Sequence, residues 1–402
     1  MKIYIGLTVI LLGFFTYGFY LSQFSLQVSP LAKIETKGLF YDYKGVINVH
    51  SDKSIGSLPY LDIIAEAKNT GLDFIFFTDL DQNPLDKSAE GYHDHLLVFQ
   101  EHYLSFVDSR VLFFSPDRQN RSLENIDRGT YLTDLLSQKK STAHEELIIL
   151  AHPFKQGYQW TGPLPTGIDG LEVINLNSMS HQLWSKNKST IFWSLLTYPF
   201  NPTYSLLRLF QDPTQEINLW DQLNKTSPAY GYAGSHASAR AIPFADFLMQ
   251  FPSYQNLFEL VSNHILTTSE LTGNYSKDRT KIFSSLKNGH FYFSIDALGD
   301  PKGFSAHLKD HDRRYMMGDS VKWNRQQTLK LQLPYEPTSY YEVVLLKDGE
   351  RRATYHKKEI ETIVTEPGIY RWIVRVSPFF AIPEGKKWLT WIYTNPFIIT
   401  KD

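Results

Sequence analysis

The stretch from Val46 to Asp79 admits few folds. Val46-Ile47-Asn48-Val49 is a β-branched run that ends on His50-Ser51, which predicts a buried strand running into a loop. After Ser54-Ile55-Gly56-Ser57, Pro59 opens a segment whose Leu61, Ile64, Ala65 and Ala67 fall at helical spacing, and Gly71 stands where a helix would stop. Phe74-Ile75-Phe76-Phe77 is a second apolar strand, and it runs into Thr78-Asp79. Strand, loop, helix, strand is one βα unit plus the next strand of a parallel sheet, where reactive groups collect at the C-terminal strand ends. His50 and Asp79 occupy such ends.

The same alternation continues from Phe40 to about Asp300. Leu147-Ile148-Ile149-Leu150-Ala151 ends on His152-Pro153, Gly170-Leu171-Glu172-Val173-Ile174 ends near Asn175, and Tyr230-Gly231-Tyr232-Ala233-Gly234 runs into Ser235-His236. An α/β barrel assembles its site from such positions. One histidine at a strand end is usually a satisfied loop residue; three make a shared site an equally good reading. Tyr92-His93-Asp94-His95 and Glu101-His102 read as a solvated patch within reach of the barrel mouth. Tyr254–Leu266 and Lys277–Leu286 read as helices, and Asn288-Gly289-His290 turns into the strand Phe291-Tyr292-Phe293. His264 and His290 read as structural.

With 402 residues, 42% of them hydrophobic and 15% aromatic, the chain supports two globular domains. A formal charge of -2 leaves no basic excess for a nucleic-acid backbone, so no nucleic acid is expected as partner. Cysteine is absent, which removes disulfides and thiolate chemistry.

From Ile3 to Phe24 no residue is charged, a run long enough to cross a bilayer as one helix. A cleaved signal segment is the competing reading for residues 1–25, with 26–40 as linker. Lys2 and the free amine favour a single-pass arrangement with the body on the extracytoplasmic side, while Lys33 and Lys37 oppose it. Thr190–Leu223 is aromatic-rich and broken by Pro199, Pro202 and Pro213. Short helices packed over the barrel are expected there; the alternative is a surface resting on the membrane through Trp193 and Trp220. From about Pro301 the period changes to two, as in Leu329, Leu331, Leu333 and Tyr370, Trp372, Val374, Val376, which predicts a small antiparallel β-sandwich over 301–402. Its aromatics could take a glycan, but a sandwich core needs them anyway.

The motif residues carry a family resemblance. His50-Ser51, the helix ending in Ala67-Lys68-Asn69-Thr70-Gly71-Leu72-Asp73-Phe74, Thr78-Asp79, Ala151-His152-Pro153 and Gly234-Ser235-His236-Ala237-Ser238 resemble, in order and spacing, the motifs of the PHP (polymerase and histidinol phosphatase) family. The resemblance spans roughly Tyr43 to Asp296. It implies a distorted seven-stranded α/β barrel over 41–300 and, in active members, a cluster of divalent metals that hydrolyses phosphoesters. Against that pattern Asn48 stands where the first histidine is usual, Ile55 and Leu80 stand where ligands are usual, and Ser238 replaces another. The candidates left for metal are His50, Glu101 (aligned with the bridging glutamate), His152, His236 and Asp79.

Ile55 and Leu80 donate nothing to a cation, and Asn48 is a weak substitute for imidazole. Adjacent ions also need carboxylates to offset their repulsion. A full cluster is therefore not expected. The retained set suits one ion of Zn, Mn or Fe, or none. Ser51, Ser235 and Ser238 lie near histidines, but no Gly-x-Ser-x-Gly elbow and no phosphate loop is present. Two readings follow: a membrane-anchored pseudoenzyme that binds or scaffolds an envelope protein, and a metal-dependent hydrolase of a phosphoester small molecule using a reduced site.

Overall fold

Strand β1 (Tyr41–Val49) is hydrogen-bonded on both sides. Its first half is antiparallel to a strand late in the chain, Tyr41 opposite Thr267 and Gly45 opposite Asn263. Its second half is parallel to β2 (Phe74–Phe77) and to Tyr230–Ala237, and Val49 lies opposite both Phe77 and Ala237. The computed structural model describes residues 2–30, 38–82, 85–115, 131–141, 146–162, 166–239, 241–244, 247–382 and 384–401. Lys33 and Lys37, whose charges bear on membrane orientation, lie outside the described residues.

Between β1 and β2 runs α2 (Tyr60–Asn69), which buries Tyr60, Ile63, Ile64 and Ala67 and is followed by Gly71 at φ 70°. Next come β3 (Gly91–His93), β4 (Leu96–Gln100), β5 (His102–Ser105), β6 (Arg110–Phe114), α3 (Leu132–Ser141), β7 (Leu147–Leu150) and β8 (Gly170–Asn175). Helices α4 (Leu176–Lys186), α5 (Lys188–Thr197), α6 (Pro202–Leu207) and α7 (Thr214–Asn224) precede β9 (Tyr230–Ala237). Strand β2 pairs in parallel with β4, and a Leu80–Tyr103 bridge joins it to β5. β5, β6 and β7 are antiparallel, and β7, β8, β9 and β1 are parallel, so the ladder closes on itself. One rim therefore collects the C-terminal ends of β1, β2, β4, β7, β8 and β9.

Two local readings of the sequence are corrected. The His-rich segment is woven into β3, β4 and β5 and is solvated only in part: Asp94 and His95 are exposed at the β3–β4 turn, whereas His93 bonds the Ala89 carbonyl through Nε2 and Glu101 is buried. The helix read over Tyr254–Leu266 stops early. A hairpin of β10 (Ala241–Phe244) and β11 (Phe247–Gln250) is followed by α8 (Tyr254–Phe258), capped by Ser253, and then by β12 (Ser262–Thr267). Short apolar runs are ambiguous between helix and strand, and here the open antiparallel edge of β1 decides.

Apolar side chains alternate between two clusters. Phe74 and Phe76 of β2 turn to one side and Ile75 and Phe77 to the other, as period two requires. Phe76 stacks on Phe99 at 4.4 Å and on Phe114 at 4.7 Å. Helix α9 (Tyr275–Asn288) joins this cluster through Ile282, Phe283 and Leu286, is capped by Asn274, and ends on Gly289 at φ 72°. Strand β13 (Phe291–Ser294) pairs with β12, and on its other side with Leu389–Thr394 from the C-terminal region. That region holds a four-stranded antiparallel sheet (305–310, 313–315, 328–332, 359–363) and further antiparallel strands (340–347, 350–355, 368–377), all contributing to the same core.

Asparagine caps order the helical insertion. Asn175, Asn187 and Asn201 each accept a backbone N–H at the start of α4, α5 and α6. Trp220 is buried and donates Nε1–H to the Ala229 carbonyl, so it belongs to the packing rather than to a membrane surface. Ahead of β1, helix α1 (Lys2–Ser22) is long and apolar enough to span a membrane, and only its C-terminal part, from Phe14 on, packs on the body.

A buried ionic network ties β1, β12 and β13 together. His264 Nδ1 lies 2.9 Å from Asp42, its Nε2 lies 3.4 Å from Asp296, and Lys44 is 2.8 Å from Asp296. Burial disfavours the imidazolium, but Asp42 and Asp296 outweigh it and raise the His264 pKa from 6.5 to about 10. The folded state thus keeps a proton that the unfolded chain gives up, so this stabilisation is complete below about pH 6.5 and is lost as pH rises towards about 10. Urea unfolding between neutral pH and pH ~9.5 is expected to show stability falling by up to about 1.4 kcal/mol per pH unit from this group. In His264→Gln that slope should vanish, and the variant should be less stable at neutral pH.

Candidate functional site

At the rim, His50 follows β1, His152 follows β7, and His236 lies near the end of β9. Their imidazoles come together: the His50 and His236 ring centroids are 4.9 Å apart, and those of His152 and His236 5.6 Å. All three are buried. The backbone is held unusually here, with φ of 31° at His152, 45° at His236 and 63° at Asn48. Non-glycine residues avoid this region, and packing must hold them there.

Burial keeps two of these imidazoles neutral. It lowers His50 to about 4 against the opposing pull of Asp79, and it lowers His152 to about 3. Nε2 of His152 is hydrogen-bonded to the Tyr103 hydroxyl, whose own pKa burial raises well above 10. Neither ring nitrogen of His50 completes a well-aligned hydrogen bond, although the Thr78 backbone lies close enough to favour a proton there. The main chain of His50 is fixed instead: its carbonyl accepts from Tyr254 Oη at 2.6 Å, and Gly56 passes so close over it that a Cβ there would overlap that oxygen.

Each carboxylate on the rim is already engaged. Asp79 accepts from the Ser51 amide and hydroxyl, both at 2.7 Å, from Ser54 Oγ at 2.5 Å and from Tyr60 Oη at 2.8 Å. Glu101 accepts from the Ser115 amide at 3.0 Å and from Arg279 Nη2 at 2.5 Å. Burial raises its pKa to about 7, with Arg279 opposing the shift. Arg279 reaches it from α9, is itself buried, lies over the Phe283 ring at 4.2 Å, and also bonds the Ser115 carbonyl.

Sequence reasoning passed over two further groups. Glu172, inside β8, is fully buried, and burial raises its pKa to about 7. It accepts from Asn48 Nδ2 at 2.6 Å, Asn175 Nδ2 at 2.8 Å and the His152 amide at 2.9 Å. Gly234 makes room for it, since a Cβ there would overlap the carboxylate. A lone glutamate in an apolar strand was the available signal. Arg279 had none, because its partner lies 178 positions away in the chain.

Three imidazoles on one rim are the donor set a divalent ion would use, but the rest of the site does not fit a metal cluster. Among the described residues no three His, Asp or Glu side chains converge in metal-holding geometry. Glu101 faces a guanidinium, Asp79 is saturated by hydroxyl and amide donors, and Asn48 spends its amide on Glu172. Ile55 and Leu80 offer no donor. Ser238 lends its carbonyl to Tyr254 Oη at 3.1 Å.

No family model matches this chain, and no curated protein matches it. Among solved structures it is similar to PsfC from Pseudomonas syringae, at 12% identity and a TM-score of 0.36, covering 59% of this chain and 87% of that one. It is also similar to a two-domain protein from Bacteroides vulgatus containing a predicted PHP-like metal-dependent phosphoesterase, at 13% identity and a TM-score of 0.36, covering 90% and 99% of the two chains. At such scores the likeness carries no weight for this chain, whose strand pairing and rim residues must speak for themselves.

Removing Arg279 would leave Glu101 buried beside a lost charge. Arg279→Leu is expected to cost about 3–5 kcal/mol in urea unfolding, and Arg279→Leu with Glu101→Leu to recover most of it. Equal losses in the single and double variants would show the pair to be uncoupled.

Proposed function

We propose that this chain is a membrane-attached module built on a PHP-type barrel (41–300), carrying a C-terminal β-sandwich (301–402), which binds or scaffolds another component of the cell envelope rather than hydrolysing phosphoesters. Helix α1 crosses the membrane once, and the body lies on the extracytoplasmic side. The observation that carries this reading is the Arg279–Glu101 ion pair. If Glu101 is the carboxylate that bridges ions in the resembled family, Arg279 now supplies, permanently and from within, the positive charge it would otherwise take from metal. The Asn48–Glu172 pair and the saturated Asp79 extend the same pattern of internal compensation.

One observation favours a second reading. His50 keeps both ring nitrogens without a completed hydrogen bond, next to two other imidazoles. A single divalent ion (Zn, Mn or Fe) held by His50, His152 and His236, with the imidazoles turned to face it, would make the rim a reduced phosphoesterase site. A neutral imidazole is the ligand form, and burial supplies it at neutral pH for His50 and His152.

Metal analysis of the detergent-purified full chain separates the two. The module reading expects no stoichiometric Zn, Mn or Fe, no hydrolysis of generic phosphomono- or diesters above background, and neither result altered by His50→Ala. Stoichiometric metal that is lost on His50→Ala, together with metal-dependent ester hydrolysis, would replace it with the second reading.

A further inference from the structure

Helix α1 is 21 residues long, which at ~1.5 Å per residue gives about 31 Å, just enough for a hydrocarbon layer of about 30 Å. The body does not wait at the end of this helix. Phe200 packs edge-on against Phe14 at 5.3 Å and Phe15 at 6.1 Å, and it fills the space a Cβ at Gly18 would need. Trp193 of α5 lies 5.7 Å from Tyr17, and the Tyr17 hydroxyl donates to the Ile382 carbonyl at 2.7 Å. Asn201, the cap of α6, donates Nδ2–H to the Leu21 and Phe24 carbonyls at 2.8 Å each, satisfying the end of α1 from the body.

These contacts fix a depth. From Lys2 to Gly13 the helix is clear of the body, but that portion reaches only about 18 Å and cannot cross the layer alone. If the whole helix spans, Phe14 lies about 12 Å below the level of Ser22. Whatever packs against Phe14 and Tyr17 must be there with it. Around those contact points the body exposes apolar side chains that a watery setting would not favour: Phe192 is 63% exposed, Leu195 42% and Ile382 71%.

We infer that the body is itself partly sunk into the bilayer beside α1, with Phe192 and Leu195 of α5, Phe200 and Ile382 lying among the acyl chains of the leaflet from which Ser22 emerges. The occupant of this apolar face is lipid, because the helix packed against it can be satisfied only by lipid. The inference depends on α1 crossing the membrane, as proposed above.

The chain has no cysteine, so single-cysteine variants of the full protein take an environment-sensitive fluorophore at one site each. Reconstitution into phosphatidylcholine and phosphatidylglycerol vesicles, with or without a lipid spin-labelled high on its acyl chain, reads depth as loss of emission. Labels at Leu11→Cys, Phe192→Cys and Ile382→Cys are expected to be blue-shifted and to lose most of their emission, whereas one at Glu270→Cys, in the exposed turn after β12, keeps it. If Leu11→Cys is quenched but Phe192→Cys and Ile382→Cys behave like Glu270→Cys, the sunken body is refuted and the membrane-crossing helix stands. If Leu11→Cys is also unquenched, both fall.

Discussion

The register of β1 is the constraint from which the rest follows. Val49 stands opposite Phe77 on one side and Ala237 on the other, so His50, Thr78-Asp79 and the Ser235-His236 segment are delivered to one level of one rim. A shift by one residue would turn Ile47 and Val49, which pack in different apolar clusters either side of the irregularity at Asn48, each to the wrong face, and would scatter the three imidazoles. Ser235 Oγ reinforces the register by donating to the Ile47 carbonyl at 2.8 Å.

What the rim then does with its charges is a matter of dielectric. A buried carboxylate must be protonated or compensated. Glu101 is compensated by a guanidinium, Asp79 by four donors, and Glu172 by two amide side chains and a backbone N–H. His50 and His152 need no such help, since burial leaves them neutral. The rim is therefore nearly balanced from within. Neighbouring groups on the rim find their partners among themselves.

Much of this was legible in the chain because the parallel strands announce themselves. Each of Val46–Val49, Leu147–Leu150 and Tyr230–Gly234 is a largely apolar run followed within two residues by a histidine, and buried strands of a closed ladder read this way. The compensating partners were not legible. Arg279 sits on a helix that reads as ordinary, and only the closing of the ladder over α9 brings it to Glu101. Strand β12 was hidden for a similar reason, since Ser262–Thr267 becomes a strand because β1 and β13 leave it a place between them. The strands from Gly91 to Phe114 were masked by their polar punctuation, His93-Asp94-His95 and Glu101-His102.

The junction at β13 carries a practical consequence. Its hydrogen-bonding edge is covered by Leu389–Thr394, nearly a hundred positions further along, so the sheet runs unbroken from the barrel into the C-terminal strands. A polypeptide truncated near Pro301 would bare a row of unsatisfied amides and carbonyls flanked by Phe291 and Phe293, the template on which chains stack into insoluble fibres. The two halves of this molecule are thus joined as one heritable unit, and a gene encoding either alone would be a poor expression target.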